Sequence, residues 1–224
     1  MKLNNPQKKK VIVLGKGDLA IKVSNWFQEN KKYDLILIVP VVPEPKWTGS
    51  LREWAKKNQI PLIESGHYKD ISGVKYSNWE IDLAFSVFYD KIIEKWFIEK
   101  CKKILNLHNS SLPKYRGVNP INWALKNNEK EHGVTIHQIA LEIDSGPIVS
   151  QVKYSIYPSF EEVRDVYQKS LDYGFLLFKK TMPILEKIEP RYQDESLVTY
   201  YNKKDKEALG ERKDFTKDKS NNNL

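Results

Sequence analysis

At 224 residues, 40% hydrophobic and 29% charged, the chain has room for one large domain, or one domain with an appendix, and its composition excludes a disordered or fibrous protein. The net charge of +8 comes with lysines crowded into the first ten residues and between Lys91 and Lys103, and mixed-sign segments between them. This reads as a solvated basic surface, with an anionic small substrate preferred over nucleic acid as the partner.

In chain order, residues 11–14 are a short apolar run closed by Gly15 and are predicted as a buried strand. Residues 17–29 place Leu19, Val23, Trp26 and Phe27 at helical spacing. A second strand is predicted over 33–40, a short helix over 51–58, a third strand over 60–64 opened by Pro61, and a fourth over 81–87. Residues 91–103 are predicted as a helix with Ile92, Trp96 and Ile98 or Phe97 inward, followed by a fifth strand over 103–108. Strands alternating with helices imply right-handed βαβ units and a parallel sheet. The second half reads as a helix over 120–126, strands over 133–139 and 147–157 in an antiparallel pair, and one long helix over 159–185. Ser159 is its expected N-cap, Glu161 and Glu162 lie in its first turn, and Pro183 ends it. A short hairpin is expected over 199–215 and a polar tail over 220–224. The fold class is thus α/β, a Rossmann-like, mostly parallel sheet with helices on both faces. The expected division is a domain over 1–190 and an appendix over 191–224.

No apolar run approaches the roughly 20 residues that cross a bilayer, and the basic stretch from Met1 to Lys10 lacks the apolar core of a secretory signal. No membrane insertion and a cytoplasmic location are expected. Cys101, the one cysteine, cannot form an internal disulfide and reads as a packing residue at a helix edge.

Gly15-Lys16-Gly17-Asp18-Leu19-Ala20 follows a strand and opens a helix, as a dinucleotide fingerprint does. That fingerprint wants an acidic residue closing the second strand, where this chain has Val39-Pro40-Val41, and Asp18 would repel a pyrophosphate. A tight strand-to-helix turn is the simpler reading; a non-catalytic dinucleotide-binding protein is the rival it leaves.

The chemistry concentrates further on. Asn106 and His108 stand two apart at the end of a predicted strand and so share a face. In a parallel sheet the carboxyl ends of the strands face the binding crevice. An amide beside an imidazole offers a hydrogen-bond donor and a proton acceptor. The plainer alternative for His108 is a packing histidine, and for Asp144, in the turn 141–147, an Asx-turn. His132 and His137, five apart on one strand, should face opposite sides, so no metal site is expected there.

Asn106, His108, the loop Ser111-Leu112-Pro113-Lys114-Tyr115-Arg116-Gly117 and the run Asp144-Ser145-Gly146-Pro147-Ile148, in this order, resemble the formyltetrahydrofolate-dependent formyltransferases over about residues 11–185. The resemblance implies N10-formyltetrahydrofolate as co-substrate and transfer of its formyl group to an amine through a tetrahedral species, with no metal. It implies that Asn106 donates to the developing oxyanion. His108 would take up the proton lost by the amine, directly or through water. Asp144 would orient His108 and favour its charged form. It places the pterin against Phe85, Ser86, Val87 and Phe88, with Tyr89, and against the loop holding Ile139 and Glu142.

Within that family, a methionyl-tRNA enzyme should carry a further C-terminal domain, and the purine enzyme should open with a serine- and glycine-rich phosphate loop, from which Gly15-Lys16-Gly17-Asp18-Leu19 departs. Arg116-Gly117-Val118-Asn119-Pro120, Trp123 and Thr199-Tyr200-Tyr201-Asn202-Lys203-Lys204-Asp205 look more like the sugar-nucleotide N-formyltransferases. The expected acceptor is a dTDP-4-amino-4,6-dideoxyhexose for cell-surface polysaccharide (O-antigen) synthesis. Lys16, Lys114 or Arg116 would meet the diphosphate, and Trp47 would stack on the base. A homodimer is expected. The alternative within the family is a glycinamide ribonucleotide formyltransferase.

Overall fold

The apolar run Val11–Leu14 fills the middle of strand β1 (Lys9–Gly15), where its four side chains are almost wholly buried. The computed structural model describes residues 7–73 and 80–209. Its chain divides into two compact units after Leu105. In the first, β1 pairs in parallel with β2 (Tyr33–Pro40) on one side and β3 (Leu83–Val87) on the other. Helix α1 (Gly17–Glu29) makes the crossover from β1 to β2 and buries Leu19, Val23 and Phe27 at the predicted spacing. Phe27 packs edge-on against Tyr33 and Phe85, with ring centroids 5.1 and 6.1 Å apart. The turn into α1 needs glycine twice. A Cβ on Gly15 would run into the Val87 carbonyl oxygen, and Gly17 sits at φ +75°. The Asp18 carboxylate accepts from the Gly49 amide, and the Asp18 amide donates to Thr48 Oγ1, so this helix start is occupied by the chain's own loop.

Helix α2 (Leu51–Lys57) is capped by Ser50, whose hydroxyl accepts from the Glu53 amide. The strand expected over 60–64 is reduced to a single parallel bridge between Ile38 and Leu62. Pro61 has no N–H to give a ladder, and Gly66 already turns the chain back onto Ile63. The helix expected over 91–103 shortens to α3 (Lys95–Lys100). Phe97 is buried, as one of the expected alternatives, together with Ile93, whereas Ile92, 68% exposed, and Trp96, 37% exposed, are not inward as expected. Phe97 and Tyr68 form the buried contact here, 4.9 Å between centroids. Cys101 is buried beside them in sequence, and burial pushes its thiol up to about 12, as suits a packing residue.

Strand β4 (Ile104–His108) straddles the boundary. Its start extends the first unit's order to β2-β1-β3-β4. The second unit adds a two-residue strand β5 (Arg116–Gly117), helix α4 (Pro120–Lys126), and strands β6 (Glu131–Gln138) and β7 (Ile148–Ser155), with β4, β6 and β7 adjacent in that order. The β6–β7 pair is antiparallel, as predicted, with a bulge between Ile136 and His137. Helix α5 (Val163–Thr181) lays Val166, Ser170, Leu171, Gly174, Leu177, Phe178 and Thr181 on one buried face. Two hydroxyl pairs tie it to β7: Tyr154 to Ser170 at 2.7 Å and Ser150 to Thr181 at 2.6 Å. Its cap is not Ser159. Residues 157–161 form a turn in which Phe160 and Glu161 donate to the Tyr157 carbonyl. Glu162 and Asp165 then make a reciprocal capping box. At its other end Pro183 lies inside a 3₁₀ turn, Met182–Lys187, in place of the last α turn.

Of the residues set apart in the sequence as an appendix, those described, 191–209, belong to this second unit. The expected hairpin over 199–215 is not formed by its described part. Strand β8 (Tyr200–Tyr201) pairs in parallel with β5, and a 3₁₀ segment, Lys203–Leu209, follows; residues 210–215 lie outside the described residues. Tyr201 stacks on Trp123 at 4.0 Å between centroids, and Leu209 is buried. Among the described residues no helix is long and apolar enough to cross a membrane.

Truncation after Gln193 removes the Tyr201 stack, the burial of Leu209 and the β5–β8 pairing together. These are worth about 3 kcal/mol at the usual rates for a buried aliphatic side chain and an aromatic pair. In a domain of this size Tm should fall by roughly 5–10 °C. An unchanged calorimetric melt would show the segment to be dispensable.

Candidate active site

Strand alternation points Asn106 and His108 the same way from the end of β4, and both reach one carboxylate, that of Asp144. Asp144 lies in the turn between β6 and β7 at φ +53°, a conformation that aspartate tolerates better than most residues. Its side chain is 12% exposed. Oδ2 accepts a hydrogen bond from the Gly117 amide at 2.9 Å and lies 3.5 Å from His108 Nδ1. Oδ1 lies 3.4 Å from Asn106 Nδ2 and 3.5 Å from His137 Nε2. Burial by itself would raise this carboxyl's pKa. The imidazoles of His108 and His137 and the Gly117 amide outweigh it and hold the group well below the usual carboxylate range.

The imidazoles are oriented by backbone carbonyls, which only accept. His108 Nε2 therefore donates to the Tyr115 carbonyl at 2.9 Å, leaving Nδ1 toward Asp144. His137 Nδ1 donates to the Gln138 carbonyl at 2.8 Å, leaving Nε2 to accept from Asn106 Nδ2 at 3.1 Å. The Tyr115 carbonyl is itself placed by a braced loop. Ser110 Oγ donates to the Lys114 carbonyl, Thr135 Oγ1 to the Ser110 carbonyl, and the Tyr115 amide to Thr199 Oγ1, each at 2.7 Å.

His137 is the site residue that sequence reasoning missed. Strict alternation puts His132 and His137 on opposite sides of β6. At Ile136/His137 the register shifts by an extra residue, Val149, on β7, so β6 keeps its own alternation and His137 shares the face of Thr135, toward Asn106. The His137 ring lies beside His108, 6.3 Å between ring centroids. His132 donates from Nε2 to the Asn109 carbonyl at 2.8 Å and is 1% exposed.

The residues expected at the folate and the sugar nucleotide are placed as follows. In the first unit, Phe85 and Val87 are wholly buried; the Phe85 ring belongs to the core beside Phe27. Ser86 is buried, and Phe88 is half-buried at φ +55° just past the end of β3. Lys16 and Trp47 are half-buried, and the Lys16 amide donates to the Val87 carbonyl. In the second unit, Ile139 is half-buried, and Glu142 is exposed with its carbonyl accepting from Ser145. Lys114 is half-exposed, 3.4 Å from Glu129. Arg116 does not present its charge to a ligand. It is 5% exposed and directs four hydrogen bonds to Gln193 and Glu195, at 2.7 to 3.2 Å.

Chemically, the cluster offers an amide donor in Asn106 and an imidazole–carboxylate pair that can hold one proton. It contains no hydroxyl or thiol nucleophile, which suits a reaction in which the substrate itself supplies the nucleophile.

Comparison with known proteins agrees with that chemistry. A family model described as "Formyl transferase" matches residues 9–182. Among curated relatives, the methionyl-tRNA formyltransferase of Halalkalibacterium halodurans is 33% identical over 204 residues, 85% of this chain and 63% of that protein. The bifunctional polymyxin resistance protein ArnA of Wigglesworthia glossinidia brevipalpis is 34% identical over 142 residues, 62% of this chain and 21% of that protein. The chain thus spans less than two thirds of the length of these curated relatives. Among solved structures, the sugar 3N-formyl transferase WlaRD, determined with dTDP and 5-N-formyl-THF, aligns with TM-score 0.78 and 29% identity, over 89% of this chain and 71% of that one. An N-formyltransferase from Helicobacter canadensis, determined with folinic acid and dTDP-3-aminofucose, aligns with TM-score 0.74 and 30% identity, over 89% and 72%.

The two perturbed groups set two successive windows in which stability falls with pH. Asp144, with its lowered pKa, contributes stability that is complete above the ordinary carboxylate range and is lost only as pH falls through its own lower value. His132 is pushed down to about 4, chiefly by burial, against which the Asn109 bond works. Unfolded histidine binds its proton near pH 6.5, so stability falls as pH drops from about 6.5 toward 4, by up to about 3 kcal/mol. His132→Gln should flatten that limb in denaturant titrations. An equal slope in wild type and variant would mean His132 is not buried neutral.

Proposed function

The chain belongs to the formyl transferase family, and from that premise we propose that it moves a formyl group from N10-formyltetrahydrofolate to the amine of a nucleotide-linked amino-deoxysugar. The observation that carries this reading is the convergence of Asn106, His108 and His137 on the ionised Asp144. The likeness to two solved sugar N-formyltransferases at 29% and 30% identity supports the choice of acceptor. The donor set fits a formyl group: one amide N–H for the carbonyl oxygen, and one site for a proton.

The folate, when bound, supplies the formyl carbon. Asn106 Nδ2 is held by Asp144 only at 3.4 Å, so one of its N–H bonds can turn to the oxygen that gains charge as the amine adds. His108 keeps Nε2 on the Tyr115 carbonyl, receives the amine's proton at Nδ1, directly or through water, and would return a proton to the folate nitrogen that leaves as its bond to the formyl carbon breaks. Asp144, 3.5 Å away, closes on the charged ring; such catalytic contacts are often long before substrate binds. Phe88 and the backbone of Ser86 and Val87 are the folate contacts we propose in the first unit. For the diphosphate we propose Lys16 or Lys114, since Arg116 is committed elsewhere.

The acceptor expected from the sequence is a dTDP-linked 4-amino-4,6-dideoxyhexose; the Helicobacter canadensis structure holds dTDP-3-aminofucose. A second reading is methionyl-tRNA, the acceptor named in several curated relatives. A side-by-side measurement of kcat/KM decides among dTDP-4-amino and dTDP-3-amino sugars, methionyl-tRNA and glycinamide ribonucleotide. A dTDP-amino sugar should be preferred, with the rate rising with pH as the amine loses its proton. Preference for either of the other two acceptors would overturn the sugar assignment. His108→Ala and Asn106→Ala should each lower turnover at least about a hundredfold with the fold retained. Near-wild-type turnover in either folded variant would rule out the mechanism.

A further inference from the structure

The turn that carries Asp144 is held by a residue outside the matched family region. Gln193 stands eleven residues beyond its end at 182 and is 9% exposed. Its Nε2 donates twice, to the Asp144 carbonyl at 2.7 Å and the Gly146 carbonyl at 2.8 Å. Its Oε1 accepts twice, from Arg116 Nε at 3.0 Å and Nη2 at 2.9 Å. Every hydrogen-bonding position of the carboxamide is therefore used.

We propose that Gln193 is a positioning residue for Asp144, clamping the carbonyls of the turn from one side while the Gly117 amide holds the carboxylate from the other. Four features support this. Asp144 is at φ +53°, a conformation that persists only where its surroundings fix it. The segment bearing Gln193 is pinned beside it, because Arg191 and Ile148 exchange backbone hydrogen bonds at 2.7 and 2.9 Å. Arg116, which braces the carboxamide, adjoins Gly117, whose amide meets the Asp144 carboxylate. The strand they form is itself secured: the Arg116 amide donates to the Thr199 carbonyl and the Val118 amide to the Tyr201 carbonyl. One bracket, residues 191–201, thus fixes both loops that hold the carboxylate. The charged and titratable groups facing that carboxylate are His108 from β4 and His137 from β6, and both depend on its position.

The inference rests on the proposed reaction for its kinetic arm only. The variant is Gln193→Met, which keeps much of the side-chain length and loses the amide. With formyltetrahydrofolate and the preferred acceptor, kcat should fall roughly tenfold to hundredfold while both KM values stay within about twofold, the signature of misplacement rather than lost binding. Independently, carbon NMR of the Asp144 carboxyl should show its titration moving up toward the ordinary carboxylate range in the variant. A purely structural role would lower Tm without moving that titration. A folded variant with wild-type kcat and wild-type carboxyl titration overturns the proposal. Should the variant not fold, hydrogen exchange of the Gln193 side-chain amide in the wild-type protein decides: slow exchange is expected, and exchange at the free-glutamine rate overturns it. If no acceptor turns over with wild type, the proposed function fails, and the carboxyl titration still tests Gln193.

Discussion

A carboxylate taken out of water costs several kcal/mol unless its partners replace the lost solvent. The Asp144 side chain is 12% exposed and still ionised, and that demand organises the second unit. Oδ2 requires the Gly117 amide, so the chain past Tyr115 must come back as β5. Oδ1 requires Asn106 and His137, so the ends of β4 and β6 must lie together. The turn must also hold a left-handed residue, which Gly146 and Pro147 permit by following it closely and Gln193 maintains. Packing of α5 on β6 and β7 keeps the strand ends in place, yet the positions of the polar groups answer to this one anion.

The elements that were legible in the sequence are those whose evidence is local. Strand β1, helix α1, strand β2, helix α4 and the β6–β7 pair declare themselves by run length or by the spacing of Leu19, Val23 and Phe27. Asn106 and His108 could be read because two residues on a strand return to the same face. Failures occurred where a distant partner decides. Residues 60–64 have strand composition, but Pro61 interrupts the ladder. Ile92 and Trp96 fit a helical stripe, but Phe97 and Ile93 fill the core instead. In the sequence His137 is weighed only as a metal ligand with His132, because its neighbours Asn106 and Asp144 come from other strands and turns that no local pattern reports. The partner of Tyr200–Tyr201 lies more than eighty residues back, at Arg116–Gly117, and no short-range pattern reports it.

Arg116 shows the same limit for charge. A sequence displays a basic residue beside a candidate crevice and offers an anionic substrate as its partner. In the folded chain the partner is internal. A buried guanidinium needs its donors met, and Gln193 and Glu195 meet them, which holds the exposed Glu195 carboxyl below its usual range. The charge is used to fasten a late segment to an early loop. Net charge is therefore a poor guide to which lysines and arginines meet a ligand, and the half-exposed Lys114 is a better candidate than the buried Arg116.

The two imidazoles explain why this cluster suits a reaction that releases one proton. Each is locked at its far nitrogen by a backbone carbonyl, His108 at Nε2 by Tyr115 and His137 at Nδ1 by Gln138. Each turns its remaining nitrogen toward the same carboxylate, at 3.5 Å in both cases. With both rings neutral the cluster is a buried anion. One added proton, on His108 Nδ1, makes it neutral overall and leaves an ion pair inside it. Formyl transfer takes one proton off the attacking amine as its nitrogen acquires the new bond, and returns one to the nitrogen that leaves. A site that becomes less charged on receiving that proton loses part of its desolvation cost at the moment the reaction needs a base. Asn106 completes the arrangement. Its two N–H bonds point to His137 and toward Asp144, so a change of charge at either alters how readily one of them turns to the oxyanion. Proton uptake and oxyanion binding are thereby joined through one carboxylate.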